Sequence, residues 1–126
     1  MSWQTYVDSN LVGTGKIAKA AILGQQGGVW ATSSNFNLSP EEQKFIIDGY
    51  AHPDNVQAHG IRAEGQKYFT LQATDRTIQG KKGADGIIIV KTKQAILVAV
   101  YSAPIQAPEA NPIVENLADY LIGVGY

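Results

Sequence analysis

The chain has 126 residues, 44% hydrophobic and 17% charged, with a formal net charge of −1, which is typical of a single globular domain that spans residues 1–126. This charge excludes a general electrostatic attraction to nucleic acid or membranes, and the lack of cysteine excludes disulfides, thiolate zinc sites and cysteine nucleophiles. The sequence shows neither a signal-peptide pattern nor the run of roughly 18 apolar residues that spans a bilayer, so we expect a cytoplasmic protein.

The first predicted element is an N-terminal helix that ends at Gly13 and Gly15, two residues that tolerate a left-handed conformation. Trp3 and Tyr6 lie three residues apart and therefore share one helical face. Each ring combines a large apolar surface with one hydrogen-bond donor, which suits a half-exposed binding surface. The alternative is that Trp3 only anchors the terminal helix to the core.

A β-hairpin is predicted next, with strands over residues 19–23 and 29–32 joined by a glycine-rich turn from Gly24 to Gly28. The earlier glycines, Gly13 and Gly15, do not form a nucleotide-binding loop. No strand precedes them, and the third glycine of a dinucleotide site is missing.

Ser39, Pro40 and Glu42 predict the start of a second helix, because they form a capping box with proline at the first helical position. Gly49 is a natural end for this helix. From Ala51 to Gly60 we expect a loop, with or without one short helical turn. The two histidines of this segment are seven residues apart, which does not match the helical spacing of a metal-binding pair.

Four further strands are predicted after Gly65, over residues 67–73, 76–79, 87–91 and 95–101. In the first of them, the alternation predicts that Tyr68, Thr70 and Gln72 share one side and that Lys67, Phe69, Leu71 and Ala73 share the other. The segment from Gly80 to Gly86 is predicted as a glycine-rich basic loop. Connections this short exclude crossover helices, so the sheet is antiparallel, and its unbroken apolar strands require helices on both faces.

A last helix begins at Pro108 or at Pro112, and Asn111 suits the later start as an N-cap. Its apolar stripe consists of Ile113, Leu117, Tyr120, Leu121 and Val124. If this helix lies beside the N-terminal one on one sheet face, five aromatic residues form a single strip: Trp3, Tyr6, Trp30, Tyr120 and Tyr126.

Four segments in this order resemble the profilin family: Ser2 to Asp8, Gly65 to Tyr68, Gly80 to Gly83, and Leu117 to Tyr126. The resemblance covers the whole chain and is most marked with fungal members. It implies an α+β sandwich, in which a central antiparallel sheet carries the N- and C-terminal helices on one face and shorter helices on the other. It also implies a monomer of the cytoplasm and cytoskeleton that binds monomeric actin, proline-rich proteins such as formins, and phosphoinositide lipids. We expect no enzymatic activity, cofactor, metal or nucleic-acid partner.

The resemblance also assigns residues to each site. The polyproline groove comprises Trp3, Tyr6, Trp30, Tyr120, Leu121, Val124 and Tyr126. The actin surface comprises Lys67, Phe69, Gln72, Arg76, Lys81, Lys82, Ala84, Gly86, Asn111, Ile113 and Asn116. The phosphoinositide site comprises Lys81 and Lys82, which are otherwise only the solvated tip of a loop.

The sequence departs from the family pattern in two places. Gln72 stands where many relatives carry a basic residue, so one salt bridge to the acidic face of actin is missing. One additional residue within Asp8-Ser9-Asn10 predicts a shifted end of the first helix. Two functions therefore remain: an adaptor for actin monomers and polyproline, or an adaptor that keeps the peptide or lipid site with weakened actin binding.

Overall fold

A seven-stranded antiparallel sheet forms the centre of the computed structural model, which describes residues 2–126. The strands are β1 (Lys19–Gly24), β2 (Val29–Thr32), β3 (Ile61–Ala63), β4 (Gln66–Ala73), β5 (Thr77–Lys82), β6 (Asp85–Lys91) and β7 (Ala95–Tyr101). Their spatial order is β2-β1-β7-β6-β5-β4-β3, so β3 to β7 form a meander and the β1–β2 hairpin joins at β7. The predicted antiparallel sheet and its first hairpin are confirmed.

The N-terminal helix, α1 (residues 3–14), changes its winding along its length. An α-helical turn (Trp3–Thr5) leads into a π-helical segment (Tyr6–Leu11) and a final 3₁₀ turn (Val12–Thr14). Gly15 then ends the helix with a φ of 79°, as predicted. Asp8, Ser9 and Asn10, where the sequence interpretation placed one additional residue, lie in the π-helical segment, whose turns hold more residues than those of an α-helix.

The second helix, α2 (Pro40–Gly49), begins and ends as predicted. The Ser39 hydroxyl accepts the Glu42 N–H at 3.1 Å, and the Glu42 carboxylate accepts the Ser39 N–H at 2.9 Å. The same carboxylate also accepts the N–H groups of Glu64 and Gly65, in the turn between β3 and β4. Partial burial opposes ionisation, but these backbone hydrogen bonds outweigh it and lower the pKa of Glu42.

The segment from Ala51 to Gly60, predicted as a loop with or without one short helical turn, contains a longer, seven-residue helix, α3 (Pro53–His59). The short strand β3 that follows it was not predicted. A single apolar residue of this helix, Val56, is buried, and it packs in the hydrophobic cluster that includes Ile46 of α2. One buried residue produces no helical periodicity in the sequence, so tertiary packing rather than local pattern stabilises α3.

The predicted basic loop from Gly80 to Gly86 is also wrong. β5 extends to Lys82 and β6 begins at Asp85, which leaves only a two-residue turn with Gly83 at φ 59°. Gly80 and Gly86 lie inside strands, at positions where the neighbouring side chains leave no room for a Cβ. A Cβ on Gly80 would lie 3.0 Å from the Ile61 and Tyr68 side chains, and one on Gly86 would lie 2.1 Å from the Tyr101 ring.

The last helix, α4 (Ala107–Gly123), takes the earlier of the two predicted starts. Gln106 is its N-cap, and the Glu109 side chain accepts the Gln106 N–H to complete a capping box. Pro112 lies within the helix, and Asn111 is therefore a helical residue rather than a cap.

Two hydrophobic layers hold the helices to opposite faces of the sheet. The terminal helices α1 and α4 bury Val7, Leu11, Val114 and Leu121 against one face. The helices α2 and α3 bury Ile46 and Val56 against the other. Alternate residues of β6 enter the two layers, Ile88 and Val90 on the terminal-helix face and Ile87 and Ile89 on the opposite face. The predicted fold class is therefore confirmed. No helix within residues 2–126 combines the length and apolarity needed to cross a lipid bilayer.

Candidate functional site

Five aromatic rings form a continuous exposed groove on the terminal-helix side of the sheet, which we call the aromatic groove: Trp3, Tyr6, Trp30, Tyr120 and Tyr126. Trp3 is its centre. Its ring centroid lies 4.7 Å from that of Trp30, 5.0 Å from that of Tyr126 and 5.6 Å from that of Tyr6. Tyr120 continues the row at 6.2 Å from Tyr6. Trp30, Tyr120 and Tyr126 are 37%, 54% and 42% exposed, so the rings pack on one another and still face solvent.

Four separate segments position these rings. Trp3 and Tyr6 come from α1, Trp30 from β2, and Tyr120 and Tyr126 from α4 and the residues after it. The Trp30 ring lies directly over Gly24, where a Cβ would stand 2.6 Å from the indole Nε1. The Gln4 amide donates to the Thr32 carbonyl at 2.9 Å and thereby ties α1 to β2. The groove therefore depends on the packing of the two chain ends against the first hairpin.

The Tyr6 hydroxyl of the groove remains protonated at neutral pH. Desolvation, followed by the contact with the Tyr120 hydroxyl, raises the pKa of Tyr6 above its ordinary value. The Tyr6 phenol therefore keeps an O–H that can donate to a ligand carbonyl.

Leu121 and Val124 differ in their relation to the groove. Leu121 is fully buried, so it supports the groove from below and offers no surface of its own. Val124 is 51% exposed.

Beyond Tyr6 and Tyr120 the groove continues into a cleft of about 540 Å³. Its further lining residues are Asn10, Thr14, Ile113, Asn116 and Leu117. Of these, the sequence interpretation assigned only Ile113 and Asn116 to a site.

A second exposed surface, which we call the open sheet face, lies on β4 and β5, on the same side of the sheet as the terminal helices. Phe69 pairs with Lys81, Lys81 with Gly86, and Gly86 with Tyr101, which is part of the terminal-helix layer. Residues that pair directly across strands share a face, so Phe69 and Lys81 belong to this side. Phe69 is 68% exposed and Leu71 is 60% exposed, which makes them the two most exposed large apolar side chains of the described residues.

The predicted alternation of β4 is wrong beyond Thr70, because the strand contains a β-bulge. The register with β5 shifts between Thr70 and Gln72, so that Gln72 pairs with Gln79, and Gln79 pairs with Ile88 of the terminal-helix layer. Gln72 therefore lies on the same face as Phe69, not on the opposite one. The bulge also leaves Leu71 unpaired and exposed, which strict alternation could not reveal.

Comparisons with known proteins agree over the full length of the chain. The family model described as Profilin matches residues 1–126. The chain belongs to the profilin family. It is 52% identical to profilin-1B of Acanthamoeba castellanii over 126 residues and 49% identical to the profilin of Saccharomyces cerevisiae over 127 residues, with 100% of both chains covered in each case. The solved structure of Acanthamoeba castellanii profilin IB superposes with a TM-score of 0.96 at 51% identity, covering 99% of this chain and 100% of that one.

Arg76, which the sequence interpretation assigned to the actin surface of this profilin, is engaged within the chain. Its guanidinium donates to the Glu115 carboxylate at 3.0 and 3.2 Å and to the Asp119 carboxylate at 2.8 Å. The hydrogen bond to Asp119, with those to Glu115, raises the pKa of Arg76. Two carboxylates of α4 thus neutralise this cation, whereas the ammonium groups of Lys67 and Lys81 form no salt bridge within residues 2–126.

The other residues that the sequence interpretation assigned to the actin surface lie around the turn between β5 and β6 and on α4. Lys81 and Lys82 are consecutive strand residues, so their side chains leave opposite faces of the sheet, and Lys82 donates to the Gln66 amide. Ala84 is exposed in the turn, while Gly86 is buried beneath Tyr101. On α4, Asn111 is half-buried, and Ile113 and Asn116 line the cleft beside the aromatic groove.

Among the residues that the structure describes, no three His, Asp or Glu side chains are grouped closely enough to hold a metal ion. His52 and His59 are both exposed, at the two ends of α3.

Proposed function

We propose that this profilin binds monomeric actin and regulates its polymerisation, and that its aromatic groove binds polyproline segments of actin-assembly factors such as formins. The observation that carries the proposal is the row of five exposed rings with centroids 4.7 to 6.2 Å apart. A polyproline helix is preformed, has three residues per turn and leaves its carbonyls free. Flat rings with hydroxyl and indole donors therefore bind it at a small cost in conformational entropy.

Actin is assigned to the open sheet face. Exposed Phe69 and Leu71 supply an apolar centre. Lys67 and Lys81, which have no salt-bridge partner within residues 2–126, supply cations that suit an acidic partner. The Lys67 ammonium lies 5.4 Å from the Phe69 ring centroid, so charge and apolar surface adjoin. A stable interface of standard size buries about 1,600 Å² in total, which requires β4, β5 and the start of α4 together.

A second candidate function is the adaptor with weakened actin binding. Two observations favour it. Gln72 lies on the open sheet face and carries no charge, and Arg76 is neutralised by Glu115 and Asp119. Basic residues at such a face mainly accelerate association, so fewer of them lower the association rate.

A titration with actin, in the presence and absence of a polyproline peptide, tests the proposal and separates the two candidates. We expect actin to bind in both conditions, with polyproline held at the same time. Polyproline binding without measurable actin binding would select the weakened adaptor. Strict competition between actin and the peptide would contradict the assignment of the two ligands to two surfaces, although the surfaces approach each other at Ile113 and Asn116.

Phosphoinositide binding is proposed for the turn between β5 and β6. Lys81 and Lys82 flank it, and Gly83 has no side chain to keep a phosphate from the backbone. Because the two lysines leave opposite faces of the sheet, we propose that a headgroup binds at the end of the turn, where both side chains can reach it.

Lys81→Gln and Lys82→Gln are each expected to weaken binding to phosphoinositide vesicles about fivefold, since one basic residue contributes about 1 kcal/mol at an anionic membrane surface. Vesicle co-sedimentation at low salt measures the effect. The matched control is Lys44→Gln, which removes the same charge from an exposed position of α2. Equal binding by all variants would mean that Lys81 and Lys82 are only solvated.

This profilin is proposed to act as a monomer in the cytoplasm and the actin cytoskeleton, without enzymatic activity.

A further inference from the structure

The position of Tyr126 in the aromatic groove depends on a turn that contributes no ring. The main-chain oxygen of Tyr126 accepts the Gln94 N–H at 2.6 Å and the Thr92 hydroxyl at 2.5 Å. The Gln94 side-chain amide donates to the Gly125 carbonyl at 2.9 Å. Thr92 and Gln94 belong to the turn between β6 and β7, more than 30 residues away in the sequence.

The Thr92 hydroxyl is itself held in one orientation. Thr92 is only 5% exposed, and its Oγ1 accepts the Ala95 N–H at 3.0 Å. A hydroxyl has a single proton to donate. Of the two nearby oxygens, that of Tyr126 lies at 2.5 Å and that of Ala95 at 3.2 Å, so the proton is directed at Tyr126.

The same turn is bonded to the hairpin that carries Trp30. The Gln25 side-chain amide donates to the Thr92 carbonyl at 2.5 Å, and the Gln25 N–H donates to the Gln94 carbonyl at 3.0 Å. Gln25 follows β1, and Trp30 lies on β2 of the same hairpin. The turn therefore connects the two segments whose rings contact Trp3 at 4.7 and 5.0 Å.

We infer that Thr92 and Gln94 are positioning residues for polyproline binding, acting through Tyr126 without contacting the ligand. The inference rests on the proposed function of the aromatic groove. Tyr126 follows Gly125, which has a φ of 97°, and without the turn its backbone is held by the hydrogen bond from its N–H to the Leu121 carbonyl. A ring that is ordered only when the ligand arrives adds its ordering cost to binding, whereas a ring held in advance does not.

The test measures polyproline affinity by the change in tryptophan fluorescence for Gln94→Ala and Thr92→Val. Each is expected to weaken binding about two- to tenfold, the loss that corresponds to ordering one side chain on binding. Thr92→Ser keeps the hydroxyl and is expected to bind like the unmodified protein. Gln94 is exposed, so Gln94→Ala remains informative even if Thr92→Val, which leaves the Ala95 N–H without its partner, lowers stability.

The same two substitutions in a Tyr126→Ala background identify the route of the effect. If Thr92 and Gln94 act through Tyr126, neither weakens binding further once the ring is gone. An equal loss in both backgrounds, or no loss in either, would overturn the inference while leaving the groove itself established by the unmodified protein. Failure of the unmodified protein to bind polyproline would instead overturn the proposed function, and the inference with it.

Discussion

Trp3→Ala is expected to weaken polyproline binding about 30-fold or more while leaving actin binding nearly unchanged. Trp3 is the ring that contacts three others, Tyr6, Trp30 and Tyr126. Losing a central aromatic residue of an interface costs about 2 kcal/mol or more, which corresponds to that factor in affinity. Titration of the variant with a polyproline peptide and with monomeric actin measures both activities.

Thermal unfolding is the necessary control for this variant, because Trp3 is half-buried and packs against the terminal-helix layer. Trp30→Ala is a matched comparison, since Trp30 is an exposed ring on β2 that contacts Trp3. Equal loss of actin and polyproline binding in Trp3→Ala would show that Trp3 only anchors the terminal helix, which is the alternative raised by the sequence.

Phe69→Asp should have the opposite effect, a loss of actin affinity of about 30-fold with polyproline binding unchanged. Phe69 is 68% exposed at the centre of the open sheet face, so its replacement removes apolar contact area without opening a cavity in the core. The new carboxylate also adds a negative charge opposite an acidic partner. Fluorescence titration of labelled actin monomers measures the loss.

Gln57→Asp is the matched control for charge, since it places the same carboxylate on an exposed position of α3, on the opposite side of the sheet. It should bind actin normally. If Phe69→Asp keeps full actin affinity, β4 is not part of the actin surface, and α4 becomes the next candidate. Together, Trp3→Ala and Phe69→Asp form a pair in which each variant loses the ligand that the other keeps.

Most of the predicted elements depend on residues that are close together in the chain. The capping box of Ser39 and Glu42 and the hairpin turn after Gly24 were correct for this reason. The five aromatic residues were also identified from the sequence, but through the family resemblance and their location at the two chain ends and in the second strand. Their ring contacts come from four segments, and no local pattern could predict that they meet.

The wrong predictions concern features that depend on residues far apart in the chain. Gly80 and Gly86 resemble loop glycines, yet they are strand residues that leave room for the side chains of Ile61, Tyr68 and Tyr101. The bulge that moves Gln72 to the open sheet face depends on the register between β4 and β5. A register is set by partners that the sequence does not place in advance.

The sequence by itself therefore determined the family, the order of most helices and strands, and the types of residue available for binding, because these follow from composition and local spacing. Only the tertiary structure decided how those residues can be used. It neutralised Arg76 with two carboxylates of α4, left the cations of Lys67 and Lys81 unpaired among the described residues, and joined Thr92 to Tyr126. The physical reason is the same in each case: charge pairing and hydrogen bonding act over a few ångströms in space, between residues that the chain separates by tens of positions.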